Sequence, residues 1–227
     1  LPHINYDTEK YRPNDYEFEI DKLTATQSVT YSDELYYAAE NGVRPAPVKG
    51  SSAETLYALA REILRRIITD DMTDVQKAHA IYDWIMWHTT YDTPATKVLK
   101  NGEAYSAYYL EGVLCTGHTN VGGVVYYPYA VCDGLSKTYS LMCNIEGVPC
   151  VRVSGMAGST VAKAGGHAWN KVFVDGDWYI VDCTWGDANG DLALGGKRKT
   201  TYELGLHDWL FVTDSVADST HFEPYMY

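Results

Sequence analysis

A chain of 227 residues, 46% hydrophobic and 21% charged, is long enough to bury one large core. Its formal net charge of -12 argues against a nucleic-acid or anionic-membrane surface, which needs clustered Lys and Arg. No apolar run approaches membrane-spanning length, so no transmembrane segment is expected.

Residues 1–31 alternate in short segments, Tyr16-Glu17-Phe18-Glu19-Ile20 and Ser28-Val29-Thr30-Tyr31, and read as short strands or an extended arm. Ser32-Asp33-Glu34 opens a short helix that ends at Asn41-Gly42, and Pro45 and Pro47 make a linker. Residues 1–50 are therefore expected to form an N-terminal extension and 51–227 the main domain. Ser51-x-x-Glu54 is a capping box before the stripe Leu56, Leu59, Ala60, Ile63, Leu64, Ile67, predicting a helix over 52–69. Thr73-x-x-Gln76 caps a second helix over 74–89. His79 and His88 fall on its packed or partly exposed faces. Ala104 to Leu110 reads as helical, and Gly117, Gly122 and Gly123 break the pattern that follows.

Leu135, Thr138, Tyr139, Met142 and Ile145 recur at spacings of three and four, and Gly147 and Pro149 end that run. Cys132 lies at the start of the resulting helix, where unpaired N–H groups and the macrodipole favour a negative sulfur. Taken alone, such a cysteine is more often a small buried packing residue. Downstream, 150–154 reads as a strand, 154–166 as a Gly- and Ser-rich loop beside the site, and 167–174 and 177–184 as a hairpin around Asp175-Gly176. With a two-residue turn, Val174 faces Asp177 and Phe173 faces Trp178. Outward counting then puts His167, Trp169 and Asp182 on one face. Individually His167 is an ordinary core histidine and Asp182 a strand-end cap; together, opposite a helix that begins with cysteine, they can orient a nucleophile. Residues 186–200 read as a polar loop and 209–213 as a further strand of the same sheet.

Cys-Asp-Gly-Leu-Ser-Lys (132–137), Gly-Val-Pro-Cys-Val-Arg-Val-Ser-Gly (147–155), Gly-His-Ala-Trp-Asn (166–170) and Asp-Gly-Asp-Trp-Tyr-Ile-Val-Asp-Cys-Thr-Trp (175–185) resemble the transglutaminase-like core of bacterial proteins. The match is close over 129–186 and looser over 72–92 and 207–214. The resemblance implies a papain-like α+β fold, with the catalytic Cys132 at a helix N-terminus packed on a mainly antiparallel sheet, and additional N-terminal helices. It implies Cys132 as nucleophile, His167 as base and Asp182 as orienter. Two departures stand out: Cys183 follows Asp182 where many relatives carry an apolar residue or proline, and the stretch from Cys115 to Tyr129 is longer than usual.

The chemistry so implied is acyl transfer. The Cys132 thiolate attacks an amide carbonyl, the Cys132 backbone N–H and an upstream donor hold the oxyanion, and a thioester remains. Tyr126, Tyr127 and Tyr129 are candidates for that donor, and Trp169 for the wall of the acyl site. Water as acceptor gives a peptidase or amidase and an amine gives a transglutaminase; the same three residues serve both. The alternative is a binding or scaffold module at the cell surface that keeps the fold without turnover. The expected partner is a protein or peptide substrate, including cell-wall peptide. No cofactor is expected, and no metal, because no cysteine pair has ligand spacing. If Cys132 is free, the other four of the five cysteines, Cys115, Cys143, Cys150 and Cys183, allow two disulfides or four thiols. Acidity, the 20 tyrosines, the absence of an initiator methionine and the resemblance together lead to an extracellular or cell-surface expectation.

Overall fold

A computed structural model describes residues 33–97, 106–114, 118–120, 123–125, 128–186 and 207–223, with backbone alone for 97, 118–120 and 123–125. The expected strands within 1–31 and the loop at 187–200 lie outside the described residues. Three helices open the described chain: α1 (Asp33–Glu40), α2 (Ser52–Ile67) and α3 (Asp74–His88). Ser51 Oγ accepts the Glu54 N–H, and Thr73 and Gln76 close a reciprocal capping box, so both starts fall where the sequence puts them. The helix ends come one or two residues earlier than expected, at Ile67 and His88, where the next residue turns extended.

A two-residue strand β1 (Thr90–Tyr91) follows, then α4 (Thr93–Lys97), a 3₁₀ turn (Ser106–Tyr108), α5 (Leu110–Leu114), the ribbon β2 (His118–Asn120) and β3 (Gly123–Val125), and β4 (Tyr129–Ala130). β1 pairs in parallel with β4, Thr90 opposite Tyr129 and Tyr91 opposite Ala130, which brings the end of α3 beside the start of α6 (Cys132–Ile145).

The main sheet is β5 (Cys150–Ala157), β6 (Gly165–Val174), β7 (Asp177–Val181) and β8 (His221–Phe222), antiparallel throughout, in the order β7-β6-β5-β8. The hairpin register is as expected, Val174 opposite Asp177 and Phe173 opposite Trp178, around a turn in which Asp175 (φ 51) and Gly176 (φ 85) are both left-handed. A short helix α7 (Asp214–Ala217) precedes β8. Two expectations change. The strand at 209–213 reduces to a single bridge between Val212 and Ile180, because Phe211 sits at φ 58 and interrupts the extended backbone. The loop at 154–166 is shorter, because β5 runs on to Ala157, flanked by β6 on one side and β8 on the other.

α6 packs under this sheet with Leu135, Tyr139, Leu141 and Met142 fully or almost fully buried, and α2 and α3 cover it with Leu56, Leu64, Ile81 and Ile85. α1, inside the segment read as an extension, docks on the same helix: Leu35 is buried, Asp33 pairs with Lys137 at 3.0 Å, and Glu40 accepts from Ser140 Oγ and the Arg152 N–H. Cys143 and Cys150 are free thiols in this core, with Cys183 buried beside them. Neither is bridged in this structure, which is the four-thiol arrangement of the two alternatives. No described helix is long and apolar enough to cross a membrane.

Candidate active site

Cys132 is the first residue of α6, after Val131, whose N–H donates to Ala107 O at 2.9 Å. The residues that follow explain the motif. A Cβ on Gly134 would lie 2.5 Å from Ala107 O and 2.9 Å from Tyr109 O, so only glycine lets the preceding segment press against this turn. Asp133 pairs with Arg152 and, at 3.1 Å, with Lys137. Buried Lys137 also reaches Asp33 and Tyr108 O, both at 3.0 Å, and lies over the Tyr109 ring. These charges are spent on holding the helix start in place.

β6 brings His167 to the sulfur. Asn170, three residues on and fully buried, donates to Ser136 O in α6 at 2.9 Å, which fixes strand against helix. His167 Nε2 lies 2.7 Å from Asp182 Oδ2, and the imidazole also hydrogen-bonds Cys132. With Nε2 committed to Asp182, Nδ1 is the nitrogen left for the thiol. Burial alone would lower the His167 pKa, but its bonds to Asp182 and Cys132 raise it to about 10. Asp182, just past the end of β7, is fully buried; its Oδ1 accepts the N–H groups of Thr184 (2.7 Å) and Trp185 (3.1 Å). Burial opposes its charge, yet the bonds from His167 and His221 hold its pKa down at about 2.

The structure therefore brings Cys132, His167 and Asp182 together. Trp169 lies beside them but is fully buried, its ring stacked 5.9 Å from His167, so it backs the histidine and presents no wall to a cleft. Tyr129 lies half-buried in β4, and Tyr126 and Tyr127 lie outside the described residues.

Two residues escape the sequence reading. His221 on β8 donates from Nε2 to the same Asp182 Oδ2 at 2.9 Å, in a cage of Trp169, Trp185 and Trp209 with ring centroids 4.6–4.9 Å away. Nothing in its local sequence marks it; its partner lies 39 residues earlier. Tyr91 on β1 is the second: its hydroxyl accepts the Cys132 backbone N–H and also bonds the thiol, and burial together with Cys132 pushes the phenol pKa up. A tyrosine one residue into a two-residue strand carries no pattern to read. Among the described residues, two groups bring three ligand-type atoms within 4.8 Å of one another: His167, Asp182 and His221 here, and His79, Asp83 and His207 elsewhere.

The transglutaminase-like superfamily core matches residues 61–183. The chain belongs to the transglutaminase-like superfamily. Among curated proteins it is similar to the kyphoscoliosis peptidase of Mus musculus, 27% identical over 182 residues, covering 76% of this chain and 25% of that protein. It is also similar to Hillarin of Drosophila melanogaster, 25% identical over 166 residues, covering 67% of this chain and 18% of that one. The chain thus spans about a quarter or less of the length of these curated relatives, which are animal proteins, so the expected bacterial membership does not come from them. Among solved structures it is similar to that of a TGase, with a TM-score of 0.40 and 20% identity, covering 84% of this chain and 41% of that one.

Proposed function

We propose that this chain is a cysteine-dependent acyltransferase or amide hydrolase acting on protein or peptide amides. The observation that carries the reading is the unbroken line from Cys132 to His167 to Asp182, in which a buried carboxylate favours the imidazolium that forms when His167 takes the proton of the helix-start thiol. His167 takes the Cys132 proton, and the sulfur attacks the amide carbon. The oxyanion is held by the Cys132 N–H, with the Tyr91 phenol as side-chain donor in preference to Tyr126, Tyr127 or Tyr129. His167 returns the proton to the departing nitrogen as the C–N bond breaks, leaving a thioester and a free amine. Water or a second amine then attacks the thioester, His167 takes its proton, and the sulfur leaves.

A second reading has one observation in its favour. In the resting chain the Tyr91 oxygen occupies the Cys132 N–H that an oxyanion would need, which suits a binding module with a closed site. Mass spectrometry after incubation with glutamine-containing and cell-wall peptides, with and without a primary amine, decides between them. Cleavage, deamidation or amine incorporation that disappears in Cys132→Ala supports the enzyme. No product and no adduct with a cysteine-reactive amide probe supports the module. An extracellular or cell-surface setting for this chemistry is part of the proposal, in keeping with the acidic, tyrosine-rich composition.

A further inference from the structure

A second histidine–carboxylate group lies away from the thiol. His79 and Asp83 are one turn apart on α3, and His207 reaches them from the segment that leads toward β8. His79 Nε2 and His207 Nε2 are 3.0 Å apart; His207 Nε2 is 2.7 Å from Asp83 Oδ1, and His79 Nε2 is 3.5 Å from Asp83 Oδ2. Protons can serve this arrangement only by sharing: His207 Nε2 must direct its single N–H at Asp83 while the His79 Nε2 lone pair faces the same hydrogen. If both imidazoles carry protons on these nitrogens, two N–H groups point at each other across 3.0 Å.

A cation resolves the conflict, because all three groups then offer lone pairs to one point. Zinc takes imidazole nitrogen and carboxylate oxygen at about 2.0–2.2 Å, so tetrahedral neighbours stand roughly 3.3 Å apart. The two nitrogens here stand 3.0 Å apart, His207 is 2.7 Å from Asp83 Oδ1 and His79 is 3.5 Å from Asp83 Oδ2, and one donor atom from each residue lies within 4.8 Å of the others. The site is half-open, with His79 45%, Asp83 25% and His207 35% exposed, which leaves room for water to complete the shell. The His207 ring is set by an edge-on contact with His79, at a centroid distance of 4.7 Å, and by Tyr82 at 5.9 Å. Two imidazoles and one carboxylate select a borderline divalent transition ion over calcium or magnesium, which prefer all-oxygen shells. The group at His167, Asp182 and His221 has the same donors, but it belongs to the site already described.

We infer that His79, Asp83 and His207 form a zinc-class metal site that clips the C-terminal segment to α3. That segment matters to the thiol site. Trp209 O accepts the Asp182 N–H at 2.9 Å, Val212 exchanges two bonds with Ile180 at 2.7 and 2.8 Å, and the chain then continues to His221. A metal at the clip thus fastens the backbone that holds Asp182.

The test uses the whole chain carrying Cys132→Ala, which removes the reactive thiol as a competing ligand. Calorimetric titration with zinc and visible absorption with cobalt should both report one equivalent. His79→Ala and His207→Ala should each weaken that binding at least tenfold, while circular dichroism stays that of the parent. Zinc should also raise Tm in the parent and slow amide exchange at residues 207–212. Should either variant misfold, the parent alone decides: zinc must shift the imidazole resonances of His79 and His207. No stoichiometric binding, equal binding in both variants, or unmoved His79 and His207 resonances would overturn the inference.

Discussion

Asp182→Asn is the change whose size the structure fixes best. The substitution keeps the shape and keeps an oxygen for the Thr184 and Trp185 N–H groups. It removes the charge that His167 and His221 share at Oδ2. His167 moves from 6.5 to about 10 in the folded chain, and Asp182 from 3.8 to about 2. At about 1.4 kcal/mol per pKa unit these bracket a coupling of about 2 to 5 kcal/mol. The lower figure is the better guide, because the His167 value also contains its bond to Cys132. The sign follows from the directions. A raised His167 stabilises the fold fully below 6.5 and loses that contribution as pH climbs toward 10. A depressed Asp182 stabilises it above 3.8 and loses that as pH falls toward 2. Urea denaturation should therefore show Asp182→Asn weaker by about 2 kcal/mol between pH 4 and 6.5, with the gap closing on either side. Imidazole NMR should find His167 charged to about pH 10 in the parent and titrating near its ordinary value in the variant. A His167 titration identical in both chains, or a stability gap flat from pH 4 to 10, refutes the coupling.

Cys132 should be the cysteine that iodoacetamide labels first, since Cys143 and Cys150 are buried and burial pushes the Cys150 thiol up; faster labelling of either would contradict the site. Cys132→Ala should abolish turnover in the peptide assay while leaving the denaturation midpoint nearly unchanged. Tyr91→Phe should lower kcat by about 10²-fold with KM little changed if the phenol donates to the oxyanion; a rise in kcat would mean that the hydroxyl blocks the site. Asn170→Ala leaves the Ser136 carbonyl without its bond from β6 and should cost about 1–3 kcal/mol in denaturation. An unchanged midpoint would mean that apolar contacts alone hold helix to strand.

What the sequence made legible is whatever local chemistry decides. Asp175-Gly176 sets the hairpin register because this pair readily adopts the two left-handed conformations of a turn that fits the strand twist, and from that register His167 and Asp182 come to one side. Capping residues set the starts of α2 and α3 for a similar reason. His221 and Tyr91 were not legible. Each sits on a two-residue strand, and each acquires its partner through pairings made far along the chain, β8 on β5 and β1 on β4. The expected strand at 209–213 misled for the opposite reason: its composition suits an extended run, but Phe211 turns left-handed and only Val212 meets Ile180.

The indole cage around His221 has a practical corollary. Trp169, Trp185 and Trp209 surround one imidazole, and a carboxylate oxygen closes the end where Nε2 points. His221→Ala would leave a compartment the size of a single five-membered ring, apolar on its sides and anionic at one pole. Such a vacancy suits free imidazole, which can stack within it and donate to Asp182 as the lost side chain did. Millimolar imidazole should then restore Tm, and with it activity, whereas cyclopentane-like additives that fill the space without an N–H should restore less. The chain would become a protein switched by a small molecule, its orienting carboxylate tuned from outside.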